Sequence, residues 1–285
     1  MTTNIKNKYL YHYTSMDVLI ILLNNYREKL SDGKNKDLIF WASSILTMND
    51  PQEMNHGINV FKVLVPFNED FYQVDPEERL DISTIDSKQV LHDYTHTPFV
   101  LSFSGNSDDF AMWKTYGGGG YGIALKFLND VSSTPCFLNS AITPKNVYYG
   151  NGLDRFDSFV EIYNKGLDKL RKCVNEEERM ICKKSTLSDI YYHLCPYIKT
   201  ESYKNENESR ISYNNVPVNY VKFRSRNKNI IPYIEAPIPS KYLKEVIIGP
   251  CCNMEINQSS ISFLLNCCGL WDVEVTNSNI PYRDI

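Results

Sequence analysis

The stretch Tyr9-Leu10-Tyr11-His12-Tyr13, followed by Thr14-Ser15-Met16-Asp17 and the apolar run from Val18 to Leu23, decides the fold. Aromatic and aliphatic residues in close succession suit a strand, and the Thr, Ser and Asp behind them supply a capping-box pattern ahead of a helix. A strand that runs straight into a helix puts His12 at a strand end, facing a helix start. Working outward, Asp37-Leu38-Ile39-Phe40-Trp41-Ala42 reads as a second strand, and Met48-Asn49-Asp50-Pro51 as a turn, with a helix or loop beginning near Glu53.

From Thr97 to Phe127 the pattern is strand (Phe99 to Phe103), helix (Phe110 to Tyr116), a loop of four glycines, then strand (Gly122 to Phe127). Between Phe156 and Tyr197, apolar residues at helical spacing among many charges predict a helical pair inserted between sheet elements. Ser209 to Tyr213, Val216 to Phe223, Tyr242 to Ile248 and Trp271 to Thr276 read as strands, with a helix around Ser260 to Cys267. The expectation is a single α+β domain over residues 1–285, with a mixed sheet, flanking helices and a helical insertion at about 151–200.

Composition sets the outer bounds. A chain of 285 residues can bury a large core, and a hydrophobic content of 42% argues against disorder. The net charge of −4 gives no general attraction to polyphosphate. The alternating cations Lys222, Arg224, Arg226 and Lys228 admit a local basic cleft, but read first as a solvated sheet edge. The opening residues lack the apolar core of a signal peptide, and no stretch approaches the ~20 apolar residues of a membrane span, so a cytoplasmic location without a membrane partner is expected. The eight cysteines lack C-x-x-C spacing and read as buried, inert thiols.

Several motif-like segments fail on context. Gly117-Gly118-Gly119-Gly120-Tyr121-Gly122 satisfies the letters of a dinucleotide fingerprint, but a helix precedes it and a strand follows, the reverse of what places a pyrophosphate on a helix N-terminus. A lid or a plain connector is the better reading. His92 and His96 share helical spacing without the Glu of a zinc-protease motif, and Pro98 stops a helix nearby. No phosphate-binding loop or nucleophile elbow is present, which counts against phosphate-loop ATPases and serine hydrolases; no metal is expected in the leading reading.

A set of short segments resembles an uncharacterised bacterial family, number 2971 among the domains of unknown function. The segments are Leu10-Tyr11-His12-Tyr13-Thr14-Ser15, Phe40-Trp41-Ala42-Ser43, Asn49-Asp50-Pro51-Gln52-Glu53, Leu101-Ser102-Phe103-Ser104 with Trp113-x-x-Tyr116, Glu206-x-Glu208-x-Arg210-Ile211, Ile247-Ile248-Gly249-Pro250 and Ser278-x-Ile280-Pro281-Tyr282-Arg283. The helical region between Asn151 and Cys195 contributes nothing to the likeness. The opening Tyr-His-Tyr-Thr also resembles, more distantly, DNA-targeting ADP-ribosyltransferase toxins and the wider ADP-ribosyltransferase fold. That likeness implies a split sheet around a cleft that holds NAD as co-substrate. It further implies a first-strand His or Arg at a ribose, a mid-chain Ser or Tyr at the nicotinamide and a late glutamate at the reacting sugar.

On this chain those roles fall to His12, to Ser102 or Ser104, and to Glu208. A carboxylate beside the ribose would stabilise the positive charge that develops as neutral nicotinamide leaves, and a neutral imidazole would fix a ribose hydroxyl. Tyr13 or Tyr116 would stack on the nicotinamide ring, and Trp113 and Arg210 complete the cofactor-binding candidates. Each has a plainer reading: His12 as a core histidine, Trp113 and Tyr116 as core aromatics, Glu208 with Arg210 as a structural ion pair. If Glu206 and Glu208 adjoin, repulsion would raise one of their pKa values. Arg283 is expected to meet an acidic neighbour or the NAD diphosphate. The leading expectation is an NAD-consuming transferase, a toxin-like or phage-defence effector, whose acceptor (protein, nucleic acid or water) the sequence leaves open. The alternatives are a non-catalytic sensor domain that binds a nucleotide or protein, and a metal-dependent nuclease using Asp50, Glu53, Asp108 and Asp109.

Overall fold

The computed structural model describes residues 8–31, 36–50, 52–80, 97–150, 156–226 and 228–281. The opening strand β1 (Tyr9–Thr14) passes within two residues into helix α1 (Met16–Ser31). Ser15 caps it: its Oγ accepts the Val18 N–H at 3.3 Å, so one side of the expected capping box forms, centred on Ser15. Leu19, Leu22, Leu23 and Tyr26 make the buried stripe of α1, each such burial contributing about 1.5–3 kcal/mol. They pack on the sheet's aliphatic face beside Leu10, Phe40 and Leu125, together with Ile261 and Leu265 of a late helix.

The remaining elements follow in order. They are β2 (Asp37–Ser44), α2 (Glu53–Phe71), β3 (Phe99–Ser104), α3 (Phe110–Thr115), β4 (Ile123–Leu128), β5 (Lys145–Asn146), β6 (Tyr148–Tyr149), α4 (Phe156–Leu170) and α5 (Glu176–Leu194). The second half adds β7 (Ile198–Lys199), β8 (Glu208–Tyr213), β9 (Lys222–Arg226), β10 (Asn229–Pro239), β11 (Leu243–Ile248), α6 (Met254–Cys267) and β12 (Glu274–Asn277). Ten strands form a mixed sheet whose main path is β12-β11-β4-β1-β3-β2-β10-β9, with β8 on β3 and β5 on β8. The fold is α+β, as the sequence pattern predicts. The helical pair α4/α5 packs with α2 around Phe61, Phe159, Tyr163 and Ile190, and Val100 of β3 joins this second core.

Pairing at the middle of the sheet is sparse. β3 meets β1 at one register pair, Tyr11↔Ser104, and β2 at two, Ser43↔Val100 and Ser44↔Phe99, while six pairs join it to β8. Were the first register continued, Tyr13 would face Ser102. The strands part instead, and the His12 imidazole donates from Nδ1 to the Ser102 carbonyl at 2.9 Å. A side chain thus satisfies an acceptor that the interrupted ladder leaves open.

Two strand expectations need correction. Val216 to Phe223 is an irregular stretch with a short 3₁₀ segment at Val218–Tyr220, and the strand begins only at Lys222. The eleven-residue β10 has no counterpart in the sequence reading, because Pro232, Pro237 and Pro239 argue against a strand. Their tolerance has a geometric reason: Pro232 pairs with β9 only, and Pro237 and Pro239 with β2 only, so each has a side free of a partner strand. Tyr233 alone pairs on both sides, with Ser43 and Lys222, and beyond it the β9/β10 hairpin continues past the end of β2.

The glycine loop is a packed connector. Gly118, Gly119 and Gly120 take positive φ angles, Gly249 N–H donates to the Gly122 carbonyl and Cys251 N–H to that of Gly120. A Cβ on Gly122 would collide with the Thr14 carbonyl. All eight cysteines are free; Cys195 and Cys268 are buried as expected, whereas Cys136 and Cys267 are exposed. Among the described residues no helix is long and apolar enough to cross a membrane. His92, His96, Pro51, Tyr282 and Arg283 lie outside the described residues, as does the Glu53 side chain.

Candidate functional site

Where β1, β3 and β2 part, a cleft of about 730 Å³ opens, within the ~300–1,000 Å³ usual for small-molecule and cofactor sites. His12 of β1, Ser102 of β3 and Glu208 of β8 all line it, with Tyr116, Lys199 and Glu206. The ladder brings the late pieces together: Ser104 stands opposite Glu208, and Ser102 opposite Arg210. Residues roughly a hundred positions apart thereby share one wall.

Glu208 is buried and held from both sides. Arg210 donates to it in a fork, Nε to Oε1 at 2.6 Å and Nη2 to Oε2 at 2.7 Å, and the Lys199 ammonium reaches Oε2 at 3.2 Å. Arg210 also donates to the Pro196 carbonyl at 2.6 Å, and Glu208 N–H donates to the Tyr149 hydroxyl at 2.8 Å. Burial pushes the Glu208 pKa up, but the charges of Arg210 and then Lys199 outweigh it and leave the carboxyl below its ordinary range. The repulsion expected between Glu206 and Glu208 therefore does not raise Glu208, because two cations sit beside it. Glu206 shares Lys199, whose Nζ lies 2.6 Å from its Oε2, and accepts the Tyr116 hydroxyl at Oε1, 2.7 Å away. Burial, followed by the Glu206 charge, raises the Tyr116 phenol, so it stays a donor. Burial likewise pushes the Tyr149 phenol up to about 12.

His12 is enclosed by aromatic edges, with Phe40 at 5.2 Å and Phe103 at 6.0 Å between ring centroids. Burial lowers its pKa against the opposing effect of the Ser102 carbonyl, with a smaller lowering from Arg224. The ring is therefore neutral at pH 7. A carbonyl can only accept, so the proton sits on Nδ1 and Nε2 is left as an acceptor. The Ser102 hydroxyl is buried and makes no hydrogen bond of good geometry, although it lies near enough to the Glu208 carboxylate to help lower its pKa, whereas Ser104 is committed: its Oγ donates to the Glu206 carbonyl at 2.7 Å and accepts Asn106 N–H at 3.0 Å. Of the two serines, Ser102 has the less committed hydroxyl.

The other candidates divide. Tyr13 borders the cleft, but its ring stands edge-on to Trp113 at 4.9 Å and its hydroxyl donates to the Asn106 carbonyl at 2.9 Å. Trp113 is 1% exposed, does not line the cleft, and donates Nε1–H to Asp108 at 2.7 Å. It is a core aromatic; the cofactor-wall role does not fit its position. Arg210, fully buried, acts behind Glu208 and does not face a ligand. Asp108 holds Ser278 and the Asn279 N–H as well as Trp113, and Asp109 caps α3 through Met112 N–H. Among the described residues no group of three or more His, Cys, Asp or Glu that could hold a metal is found.

Of the polar lining residues, Lys199 escapes the sequence reading, while Asp50 and Arg224 are read there first in plainer roles. Lys199 sits on a two-residue strand after the helical pair, with no motif to mark it. Asp50, read as a turn residue with a possible reach to the cleft, does line it: Oδ1 accepts Gln52 N–H at 2.8 Å, and Oδ2 is buried without a partner. Arg224, read first as part of a solvated edge, sits on the sheet's last strand and still lines the cleft.

An α+β fold with a largely apolar cleft in a parted sheet, bearing a few charged groups, is what the geometry defines. Residues 112–211 match the family model described as Protein of unknown function (DUF2971), which confirms the resemblance to family 2971. The match runs from α3 into β8, includes Tyr116, Glu208 and Arg210, and takes in the helical pair that gave no likeness by eye. No curated protein and no solved structure matches.

Proposed function

We propose that this protein is an NAD-consuming enzyme of the ADP-ribosyltransferase type, which breaks the nicotinamide–ribose bond in the cleft between β1 and β3. The observation that carries the reading is the convergence of His12, Ser102 and Glu208 from three neighbouring strands on one cleft, with Glu208 kept ionised. In such a reaction the bond between the sugar carbon and the ring nitrogen breaks with its electron pair leaving on nicotinamide. The positive charge left on the ribose calls for a carboxylate that is charged at every neutral pH. Oε1 of Glu208 accepts the Arg210 Nε–H, and a carboxylate oxygen has more than one lone pair, so it can also accept a ribose hydroxyl. The Nε2 lone pair of neutral His12 can accept a second hydroxyl, which fixes the sugar's orientation. Ser102 offers a donor to the carboxamide. Water, a protein or a nucleic acid then takes the sugar carbon and gives up a proton.

The test is nicotinamide release from NAD by the wild type and by Glu208→Gln, with and without cell extract as a source of acceptors. Release that falls about 10²–10³-fold in the variant is expected. A folded wild type that binds NAD and never releases nicotinamide would replace this reading with a nucleotide-binding sensor. The clamp of two cations on Glu208 is the feature that favours this second reading. An effector role rests on the resemblance, and predicts that expression of the wild type, but not of Glu208→Gln, slows bacterial growth.

A further inference from the structure

The cleft also carries a cation for which the proposed chemistry has no use. The Arg224 guanidinium lies 5.1 Å from the Trp41 ring centre and 5.9 Å from that of Tyr233, and these two rings pack on each other at 5.5 Å. Its Nη2 donates to Ser43 Oγ at 2.9 Å, while Nε is buried without a hydrogen-bond partner. No carboxylate among the described residues forms an ion pair with it. Glu235, on the adjoining strand, is taken by Lys222 at 2.7 Å, and Glu206 and Glu208 are taken by Lys199 and Arg210. Arg226, two residues further along β9, lines the same cleft.

A partly desolvated guanidinium held against two aromatic rings is oriented but not neutralised. Withdrawal from water costs free energy that a hydrogen bond donated to one serine offsets only in part. Burial and the neighbouring Arg226 both lower the Arg224 pKa, as expected for a cation short of counter-charge. Side chains at i and i+2 of a strand share a face, so Arg224 and Arg226 present two positive charges to one region. That charge suits a doubly charged or diphosphate anion better than a single carboxylate, and the guanidinium fork matches phosphate oxygens.

We propose that the β9 side of the cleft is a subsite for a phosphate-class anion, with Arg224 as its main contact and Arg226 as an auxiliary charge. This deepens the NAD reading, on which it rests only for the identity of the rest of the ligand: a dinucleotide would place its diphosphate there. A free phosphate or phosphomonoester would satisfy the same groups.

Calorimetric titration of the full chain with pyrophosphate, inorganic phosphate, AMP and nicotinamide riboside tests it. The wild type is expected to bind the phosphate-bearing probes and to bind the riboside more weakly. Arg224→Gln should weaken pyrophosphate about tenfold or more, and Arg226→Gln less. Arg224→Lys, which keeps the charge and loses the fork, should retain part of the affinity and guards against a folding defect in the glutamine variant. Tighter pyrophosphate than inorganic phosphate identifies a nucleotide diphosphate as the source, and the reverse a free phosphate. A wild type that binds none of these anions, or a folded Arg224→Gln that binds them equally well, overturns the proposal. Phosphate binding that depends on Arg224 without nicotinamide release would leave the subsite standing and remove the NAD reading.

Discussion

The two sides of the cleft treat charge in opposite ways. On the β8 side two carboxylates and two cations are locked together: Lys199 bridges Glu206 and Glu208, and Arg210 forks onto Glu208 from beneath. On the β9 side Arg224 has aromatic rings and one serine but no carboxylate partner among the described residues. A matched set of buried charges is a frame, because every member depends on the others, whereas an unmatched cation on an edge strand is free to answer a ligand. Mutations on the first side should therefore cost stability, on top of the loss of activity at Glu208, whereas mutations on the second should read out in binding alone.

The largest expected effect tests that division directly. Arg210→Met leaves Glu208 buried with Lys199 alone and should cost about 3–5 kcal/mol of unfolding free energy. Arg224→Gln should change stability by less than about 1 kcal/mol. Urea denaturation of both variants decides the matter: equal losses would mean that Arg224 is as structural as Arg210.

Acid sensitivity sharpens the same contrast. The folded pKa of Glu208 lies below its ordinary value of 4.5, so the unfolded chain takes up the proton at higher pH than the folded one. Its contribution to stability is complete above that ordinary value and is lost as pH falls through the depressed folded value. Glu208→Gln lacks this contribution. Between pH 5 and 3 its thermal midpoint should decline less steeply than that of the wild type. Parallel curves would show that the ion pairs do not hold Glu208 ionised.

A smaller effect is expected at His12, whose two nitrogens have separate tasks. Asn can imitate the Nδ1–H that meets the Ser102 carbonyl but not the Nε2 acceptor. His12→Asn should keep most of the stability while nicotinamide release falls about tenfold, the loss of roughly one hydrogen bond. If stability drops and the activity per folded molecule is unchanged, His12 is only the plug between β1 and β3.

Much of this contrast was readable in advance, and unevenly. The β1/α1 unit was legible because strand composition, cap and apolar stripe agree locally, and β3, α3, β4 and the helical pair for the same reason. The β10 strand was not, since three prolines deny a ladder that only the split pairing of its two halves makes possible. At the site, His12, Ser102 and Glu208 came from a resemblance. Their convergence depends on β3 lying between β1 and β8, which no local pattern encodes. Lys199 had no signal at all. The alternation of Lys222, Arg224, Arg226 and Lys228 was visible, but which of these cations lacks a partner depends on Trp41 and Tyr233, brought close by the β2/β10 pairing.

The two serines of β3 give the smallest effects and the finest test, because they differ in what their hydroxyls already do. Ser104 donates to the Glu206 carbonyl and accepts from Asn106, so Ser104→Ala strands two backbone groups and should cost about 1–2 kcal/mol. Ser102 carries a buried hydroxyl with no well-formed hydrogen bond, only an approach to Glu208, so Ser102→Ala should change stability by less than about 1 kcal/mol. The same substitution removes a donor from the cleft wall and should weaken NAD binding severalfold. A hydroxyl that is neutral for folding yet matters for the ligand is what a recognition group should look like. If Ser102→Ala leaves NAD affinity untouched, the hydroxyl has no ligand role and the nicotinamide contact must be sought at Tyr116.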